Sequence, residues 1–384
     1  MRSRHERSPV HRRPRHGHRG RTAAGGGRVC FAAALAAAGA EAPLTPPAGT
    51  AVAELAELER VIALGGPRLE VRVEHTVPGA PGLPVYSVAL GAKEADAAVG
   101  FFGGVHGLER IGSQVVIAHL HSLVMRLRWD AALQGLLETT RLVFMPIVNP
   151  GGMLRHTRAN PAGVDLMRNA PVDAPDGVPF LVGGQRISSG LPWYRGRPGA
   201  PMEPESAALC SVVRRELEGR AFSLALDCHS GFGMRDRVWF PYAHRRSPIA
   251  HLAQLHALHE IFAHSNSHHN YVFEPQSRQY LTHGDLWDHL YLHACAGGAG
   301  VFLPLTLEMG SWLWVKKNPR QLFSRHGIFN PLIAHRQQRV LRGHLPLLDF
   351  TARAAASWRS WLPEGAARDQ HHSAAMRRWY GSAP

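Results

Sequence analysis

The amino-acid sequence predicts an α/β fold, a three-layer α/β/α sandwich with a mixed, mostly parallel sheet. Short apolar runs of strand length alternate along the chain with longer segments whose apolar residues recur at helical spacing. Several runs, such as 99–105 and 141–148, have no polar face, as expected of strands that are buried on both sides. Strands that alternate with helices in this way favour a sheet covered by helices on both faces.

The predicted elements follow in chain order. Residues 55–62 repeat at helical spacing, and Gly65-Gly66-Pro67 ends that helix. The predicted strands are 69–77, 85–90, 99–105, 141–148, 221–228 and 301–308. The predicted helices are 111–127, 203–218, 247–263 and a long closing helix within 331–358. Residues 170–200 are rich in Pro and Gly and are predicted to form a long loop.

The chain divides into three parts by composition. Residues 1–48 are rich in Arg, Ala, Gly and Pro without an amphipathic period, which predicts a disordered extension. Their Arg-rich start and the apolar run 29–38 are similar to a signal peptide, but the charged region is long and the apolar core short. We therefore favour a non-functional extension, for which a misplaced start is one origin, and a cytoplasmic protein, with export as the alternative. The folded domain is predicted over 49–362, and 363–384 as a mobile tail.

Charge and cysteine content exclude several classes of protein. Residues 1–28 contain nine Arg and one acidic residue and so carry +8 of the formal charge of +14, which makes the basic character mostly a property of the tail. A folded nucleic-acid domain would instead cluster its basic residues on one element, so we expect no nucleic-acid partner. The sequence contains no apolar stretch of about 20 residues, so it predicts no membrane span. The four cysteines form no CxxC pair and are expected to be buried, reduced thiols.

Two segments place candidate metal ligands after apolar strands. In Gly103-Gly104-Val105-His106-Gly107-Leu108-Glu109, a His and a Glu lie three residues apart in a glycine-flanked loop. In Leu226-Asp227-Cys228-His229-Ser230-Gly231, another apolar strand ends at a His. A surface His and a Glu at a helix N-terminus would give the same HxxE pattern. However, ligands of open α/β sheets bind beyond the carboxyl ends of strands, and two His with one carboxylate suit a catalytic zinc site.

Two further segments carry polar residues after a predicted strand or at its end. Arg158 and Arg168 lie in a polar loop that follows the strand 141–148, and they could bind a substrate carboxylate and a developing oxyanion, or form a solvated surface. Asp165 lies between apolar residues, where a carboxylate often orients a ligand His. Glu308 follows the apolar run 301–305 at the end of the predicted strand 301–308, where it would be either a functional group or half of a buried ion pair.

In this order along the chain, the four segments resemble the zinc carboxypeptidase family over roughly residues 50–360. In that family an HxxE loop and a distant His bind one zinc ion, a GVDxNRN-like run binds substrate, and a late strand supplies a catalytic Glu. The resemblance implies a metallocarboxypeptidase, a metalloprotease that hydrolyses an amide or peptide bond next to a free C-terminal carboxylate. It implies that His106, Glu109 and His229 hold one Zn²⁺ ion.

The same resemblance implies the catalytic groups. Glu308 is similar to the general base that activates water, and Arg158 to the arginine that stabilises the tetrahedral oxyanion. Tyr280 is similar to the mobile active-site tyrosine, because Gly284 and Asp288 follow it at matching spacing.

Substrate-binding groups are implied in the same way. Arg168 corresponds to the arginine that grips the terminal carboxylate, with Asn169 beside it, and Trp287 falls where the family sets side-chain preference. Asp165 corresponds to the partner of the first ligand His. Met167 departs from the pattern, because it replaces the Asn that assists the carboxylate-binding arginine. Because of Met167, the requirement for a free carboxylate stays open. Leu108 is a second departure, because digestive members carry an arginine there.

Three alternatives stay open beside a peptide or small amide as the substrate. The first is a zinc amidohydrolase or deacylase of the aspartoacylase and succinylglutamate desuccinylase type, which acts on N-acyl amino acids. The second is a catalytically inactive binding module on the same fold, although no ligand or base is missing. The third is nucleic-acid binding through the N-terminal tail. The sequence does not reveal the oligomeric state.

Overall fold

A computed structural model describes residues 52–79, 81–269, 271–298 and 300–381 of the 384-residue chain. The predicted extension 1–48 lies outside these residues. The strands are β1 (Glu70–Val77), β2 (Leu83–Leu90), β3 (Ala97–Gly103), β4 (Thr140–Met145), β5 (Phe222–Ser230), β6 (Arg237–Phe240), β7 (Val272–Pro275) and β8 (Val301–Met309). The helices are α1 (Ala53–Gly65), α2 (Arg110–Arg126), α3 (Ala131–Thr139), α4 (Pro150–Arg155), α5 (Pro204–Glu216), α6 (Leu252–Ser265), α7 (Leu286–Ala296), α8 (Trp312–Lys317), α9 (Ala334–Ala356), α10 (Trp358–Trp361) and α11 (Gly365–Ala375).

The described strands form one eight-stranded sheet in the order β1-β2-β4-β3-β5-β8-β6-β7. The central strands β4, β3, β5 and β8 run parallel, and β6 runs parallel to β7. Antiparallel pairs join β1 to β2, β2 to β4 and β6 to β8. The mixed, mostly parallel sheet predicted from the sequence is therefore confirmed.

Helices cover both faces of the sheet, as the alternating side chains of β3 show. Phe101 packs edge to face on His119 of α2, with ring centroids 4.8 Å apart. The next residue, Phe102, packs on Trp287 of α7, with centroids 5.0 Å apart. Successive side chains of a strand point to opposite faces, so α2 and α7 lie on opposite sides. This explains why the strand has no polar face.

Parallel pairing aligns the ends of three central strands. Gly103 at the end of β3 lies opposite Cys228 of β5, and His229 of β5 lies opposite Glu308 of β8. The candidate residues on three separate segments therefore start from adjacent positions at one edge of the sheet.

The C-terminal segment corrects the prediction of a mobile tail over 363–384. Residues Gly365–Ala375 form α11, which packs against α6. Trp379 is buried, and its indole nitrogen donates a 2.8 Å hydrogen bond to the carbonyl oxygen of Phe273. The prediction is wrong for 365–380 because two buried side chains, Ala375 and Trp379, anchor an otherwise polar segment.

Two other expectations can be compared with the described residues. Cys210 and Cys228 are buried free thiols as predicted, but Cys295 is exposed. No helix in the described ranges is long and apolar enough to cross a membrane.

Candidate active site

Three side chains with metal-ligand chemistry converge at the carboxyl ends of β3 and β5. One ligand atom from each of His106, Glu109 and His229 lies within 4.8 Å of the other two, and all three residues are buried. Glu109 Oε1 is 3.0 Å from His106 Nδ1, and Glu109 Oε2 is 3.0 Å from His229 Nδ1. A carboxylate between two imidazoles is a donor set that suits zinc.

Local backbone geometry brings the first two ligands together. Gly104 has a φ of 63°, a conformation that favours glycine, and it turns the chain away from β3. Glu109 stands at the position before the first turn of α2, but its carboxylate makes no capping bond there. It accepts a 3.0 Å hydrogen bond from the backbone N–H of Ser230 instead. The start of α2 is thereby joined to the end of β5.

A buried aspartate holds the far nitrogen of each imidazole. His106 Nε2 lies 3.0 Å from Asp165 Oδ1, and His229 Nε2 lies 2.7 Å from Asp227 Oδ2. In both rings Nδ1 is therefore the nitrogen that faces Glu109. Carboxylates of this kind fix the orientation and raise the basicity of ligand imidazoles.

Asp227 was not predicted as a site residue, although the sequence contains a signal for it. It precedes His229 by two residues on a strand, and residues two apart on a strand project from the same face. Asp165, by contrast, lies near His106 as the resemblance implies.

Charge in the cluster follows from close pairing in a buried environment. Burial alone would raise the pKa of Glu109, but His106 and His229 hold it well below its usual range. Arg158, His106 and Arg168 likewise hold the pKa of the buried Asp165 low. Burial opposes charge on His229, yet Asp227 and Glu109 raise its pKa well above the usual value. Metal binding at His229 would therefore displace a proton.

Glu308 lies beside the ligand cluster on the neighbouring strand. Its Oε1 accepts a 3.0 Å hydrogen bond from the backbone N–H of Phe232. Burial, followed by the nearby Glu109 carboxylate, raises the pKa of Glu308 to about 8. A carboxyl group whose pKa is near neutrality suits proton transfer.

Arg158 links two of the carboxylates of the site, those of Glu109 and Asp165. Its Nη1 donates to Glu109 Oε1 at 2.9 Å, and its Nε donates to Asp165 Oδ2 at 3.0 Å. About a quarter of the side chain, 26%, remains exposed. Arg158 therefore combines a fixed guanidinium group with access to solvent.

A cavity of about 770 Å³ opens onto this cluster. Its polar lining includes His106, Glu109, His229, Glu308, Arg158 and Tyr280. Its apolar lining comprises Val182, Trp193, Phe232, Trp312, Val315, Leu322, Ile328 and Phe329. Sequence reasoning missed these apolar residues because most of them lie in loops and short helices without a periodic pattern.

Tyr280 lies on the wall of the cavity, where the resemblance places the active-site tyrosine. Its ring packs near Phe232, with centroids 6.0 Å apart. Burial raises the pKa of the Tyr280 hydroxyl, and the positive charge of Arg168 partly offsets this effect.

Three of the residues predicted to bind substrate lie outside the lining of the cavity. Arg168 donates through Nε to the carbonyl oxygen of Val182 at 2.9 Å and lies 3.5 Å from Asp165. Met167 packs in the hydrophobic core. Asn169 donates to the carbonyl oxygen of Arg195 and accepts from the N–H of Glu203. None of Met167, Arg168 and Asn169 is among the described residues that line the cavity.

Trp287 also differs from its predicted position. The resemblance implies a residue that sets side-chain preference, but Trp287 is buried against Phe102. Its indole nitrogen donates a 2.9 Å hydrogen bond to Asp227. The correction has a simple cause, because Trp287 lies in the first turn of α7 on the side that faces the sheet.

Comparisons with known proteins bear on the family and the fold of this chain. Residues 71–302 match the zinc carboxypeptidase family. A stretch of 94 residues, 23% of the chain, is 30% identical to carboxypeptidase SOL1 of Arabidopsis thaliana and spans only 19% of that protein.

Solved structures with low sequence identity share the fold. The bovine thrombin-activatable fibrinolysis inhibitor, solved with a tick carboxypeptidase inhibitor, is 20% identical, with a TM-score of 0.57 over 78% of this chain and 94% of that one. Carboxypeptidase A from Helicoverpa armigera is 18% identical, with a TM-score of 0.57 over 79% of this chain and 72% of that one. Since the family match covers more than half of the sequence, this chain belongs to the zinc carboxypeptidase family.

Proposed function

We propose that this protein is a zinc-dependent hydrolase of amide bonds, with His106, Glu109 and His229 as the ligands of one zinc ion. The observation that carries the proposal is the convergence of these three buried side chains beside a large cavity. His106 Nδ1 supports the fit, because this buried atom lies 3.0 Å from Glu109 Oε1 but forms no well-directed hydrogen bond with any described residue. A buried polar atom without a partner is costly, and a metal ion would satisfy it.

The residues around the cluster suit hydrolysis. A zinc ion held by these ligands would polarise a carbonyl group and lower the pKa of a bound water. Glu308 takes a proton from the attacking water and delivers it to the leaving amine, as a C–O bond forms and the C–N bond breaks. Arg158 offers N–H donors to the oxyanion that develops on the carbonyl oxygen.

The cavity supports a substrate with an apolar group near the bond that is cleaved. Trp193, Phe232 and Phe329 present aromatic surface to the same space that the metal ligands line. Aromatic and aliphatic walls gain free energy by removing apolar substrate surface from water. We therefore propose a peptide or small amide with an apolar side chain, and a free carboxylate beside the bond as the resemblance implies.

A peptide library with free C-termini tests the proposal. The purified protein is stripped with a chelator, assayed, and assayed again after addition of one equivalent of zinc. Hydrolysis that depends on zinc and favours apolar residues next to the cleaved bond supports it. A protein that binds zinc at this site yet cleaves no peptide or acylated amino acid would be a binding module instead.

A second candidate is a zinc amidohydrolase that acts on N-acyl amino acids or related small amides. The position of Arg168 favours it, because Arg168 contacts Val182, Asp165 and Tyr280 and is not itself among the described residues that line the cavity. Matched substrates with free and amidated C-termini separate the candidates. A carboxypeptidase should lose kcat/KM on amidation, and Arg168→Ala should remove the difference. Equal rates on both substrates favour the amidohydrolase.

A further inference from the structure

A second group of metal-ligand side chains lies away from the active site, between α6 and α11. It consists of His256 and Glu260 on α6 and His371 on α11. One ligand atom from each lies within 4.8 Å of the other two. We propose that these three residues bind a second divalent cation, of the zinc class, which fastens the C-terminal segment to the domain.

The two α6 ligands are arranged by the helix itself. His256 and Glu260 are four residues apart, and side chains at this spacing lie on the same face, one turn apart. This spacing presents an imidazole and a carboxylate together to whatever packs on that face. The packed element is α11, and it adds the imidazole of His371.

Distances in the cluster fit a metal after small side-chain rotations. His256 Nδ1 and His371 Nδ1 are 2.9 Å apart. Zinc bonds of about 2.1 Å set ligand atoms about 3.4 Å apart in a tetrahedron. The two nitrogens must therefore separate slightly, which is within the range of a rotated side chain.

Glu260 lacks the partner that a carboxylate in this position would ordinarily have. In the described part of the chain it forms no ion pair and no side-chain hydrogen bond, and its negative charge lies near His256. Arg378 Nη2 lies 3.3 Å from His259 Nε2, so this guanidinium lies near the cluster but forms no ion pair with Glu260. The negative charge of Glu260 thus remains available to a cation bound by two neutral imidazoles.

A metal at this site would join two helices that are far apart in sequence. His256 and His371 are 115 residues apart in sequence. A metal clip that closes a long loop restricts the unfolded chain and favours the docked form. Docking of α11 in turn positions Trp379 against Phe240 at the outer strands of the sheet, with ring centroids 4.9 Å apart.

Metal stoichiometry tests the inference with the full chain. The protein is equilibrated with zinc, freed of excess metal by gel filtration and analysed by mass spectrometry of the elements. We expect two zinc ions per wild-type chain, one in His371→Ala, and two in the control His372→Ala. His372 is exposed on the same helix, so its replacement changes the histidine content and leaves the cluster intact. The inference would be overturned if His371→Ala bound two ions. It would also be overturned if the wild type bound only one ion and His371→Ala still bound one.

A second variant keeps the test independent of helix docking. Glu260→Gln retains the shape of the side chain and the contact between the imidazoles but removes the negative charge, and it should also bind one ion. The ion counts also distinguish this site from the active site. If the active site bound no zinc, the wild type would bind one ion and His371→Ala would bind none. Zinc should also slow deuterium exchange in residues 365–380 of the wild type by at least about tenfold, and not in Glu260→Gln.

Discussion

The indole nitrogen of Trp287 donates a 2.9 Å hydrogen bond to Asp227, the carboxylate that holds His229. A residue of α7 thereby acts on a candidate metal ligand through a buried carboxylate. Because Asp227 is shielded from water, its two hydrogen bonds fix the plane of the imidazole ring.

We expect Asp227→Asn to weaken zinc binding by about 10–100-fold, the usual effect of losing a carboxylate behind a ligand imidazole. Trp287→Phe removes the indole donor and keeps the aromatic packing, so it should also weaken zinc binding, but by a smaller factor. Zinc affinity is measured by competition with a chelating dye. Wild-type affinity in Asp227→Asn would show that this carboxylate does not position His229.

Glu308→Gln separates proton transfer from metal binding. The amide keeps an oxygen to accept the Phe232 hydrogen bond, but it cannot take a proton, so turnover should fall by about 10²–10⁴-fold with zinc content unchanged. Glu274→Gln replaces another buried carboxylate outside the cavity lining and serves as the control. Loss of zinc in Glu308→Gln would make Glu308 a ligand, and unaltered turnover would remove its role as the base.

Gly112 provides a test of how α2 is docked on the sheet. A Cβ atom at this position would lie 2.1 Å from the carbonyl oxygen of Cys228, so Gly112→Ala must displace α2 from β5. We expect a loss of about 1–3 kcal/mol in the free energy of unfolding, together with weaker zinc binding, because Glu109 and His229 move apart.

The control for this prediction is Gly135→Ala in α3, where a Cβ atom would meet no atom within 4 Å. Alanine favours an exposed helix over glycine by about 0.5–1 kcal/mol, so this variant should be more stable than wild type. Urea unfolding checks both variants. Equal stability of the two would mean that α2 can shift without cost.

His119 should make stability depend on pH. It is buried against Phe101 and Phe144, and burial lowers its pKa from 6.5 to about 4. The unfolded chain therefore binds this proton at a higher pH than the folded chain does. Stability is retained above about pH 6.5 and is lost as the pH falls toward about 4, by about 3 kcal/mol at most.

His119→Leu should reduce the difference in unfolding free energy between about pH 7 and about pH 5, because the titrating group is gone. His121 is only partly buried on the same helix, and His121→Leu is the control that should retain the wild-type difference. Urea titrations at the two pH values make the comparison. An undiminished difference in His119→Leu would assign the acid sensitivity to other groups.

The sequence predicts that the candidate metal ligands converge, and this has a physical reason. His106, His229 and Glu308 each follow or end an apolar run, and parallel strands carry their carboxyl ends to one edge of a sheet. The alternation of apolar runs and helical segments likewise predicts the three layers. Short elements are harder to predict, since β6 and β7 contain four residues each and have no period to detect.

The positions of Arg168 and Trp287 could not be predicted because they depend on contacts between distant segments. Arg168 is held by the carbonyl oxygen of Val182, which belongs to the irregular stretch 170–200. Trp287 is held by a carboxylate 60 residues earlier in the chain. Neither contact leaves a periodic pattern, and the spacing of a family motif places a residue along the chain without fixing the direction of its side chain.

The neighbouring positions of β3 and β5 have a consequence for synthesis on the ribosome. Both strands precede β8 in the chain, and they pair directly with each other. A nascent polypeptide that has emerged through β5 already contains His106, Glu109 and His229, whereas Glu308 is still to be translated. Under the proposed function, a chain that ends after β5 carries the three candidate zinc ligands but lacks the candidate base, so we expect such a product to perform no hydrolysis.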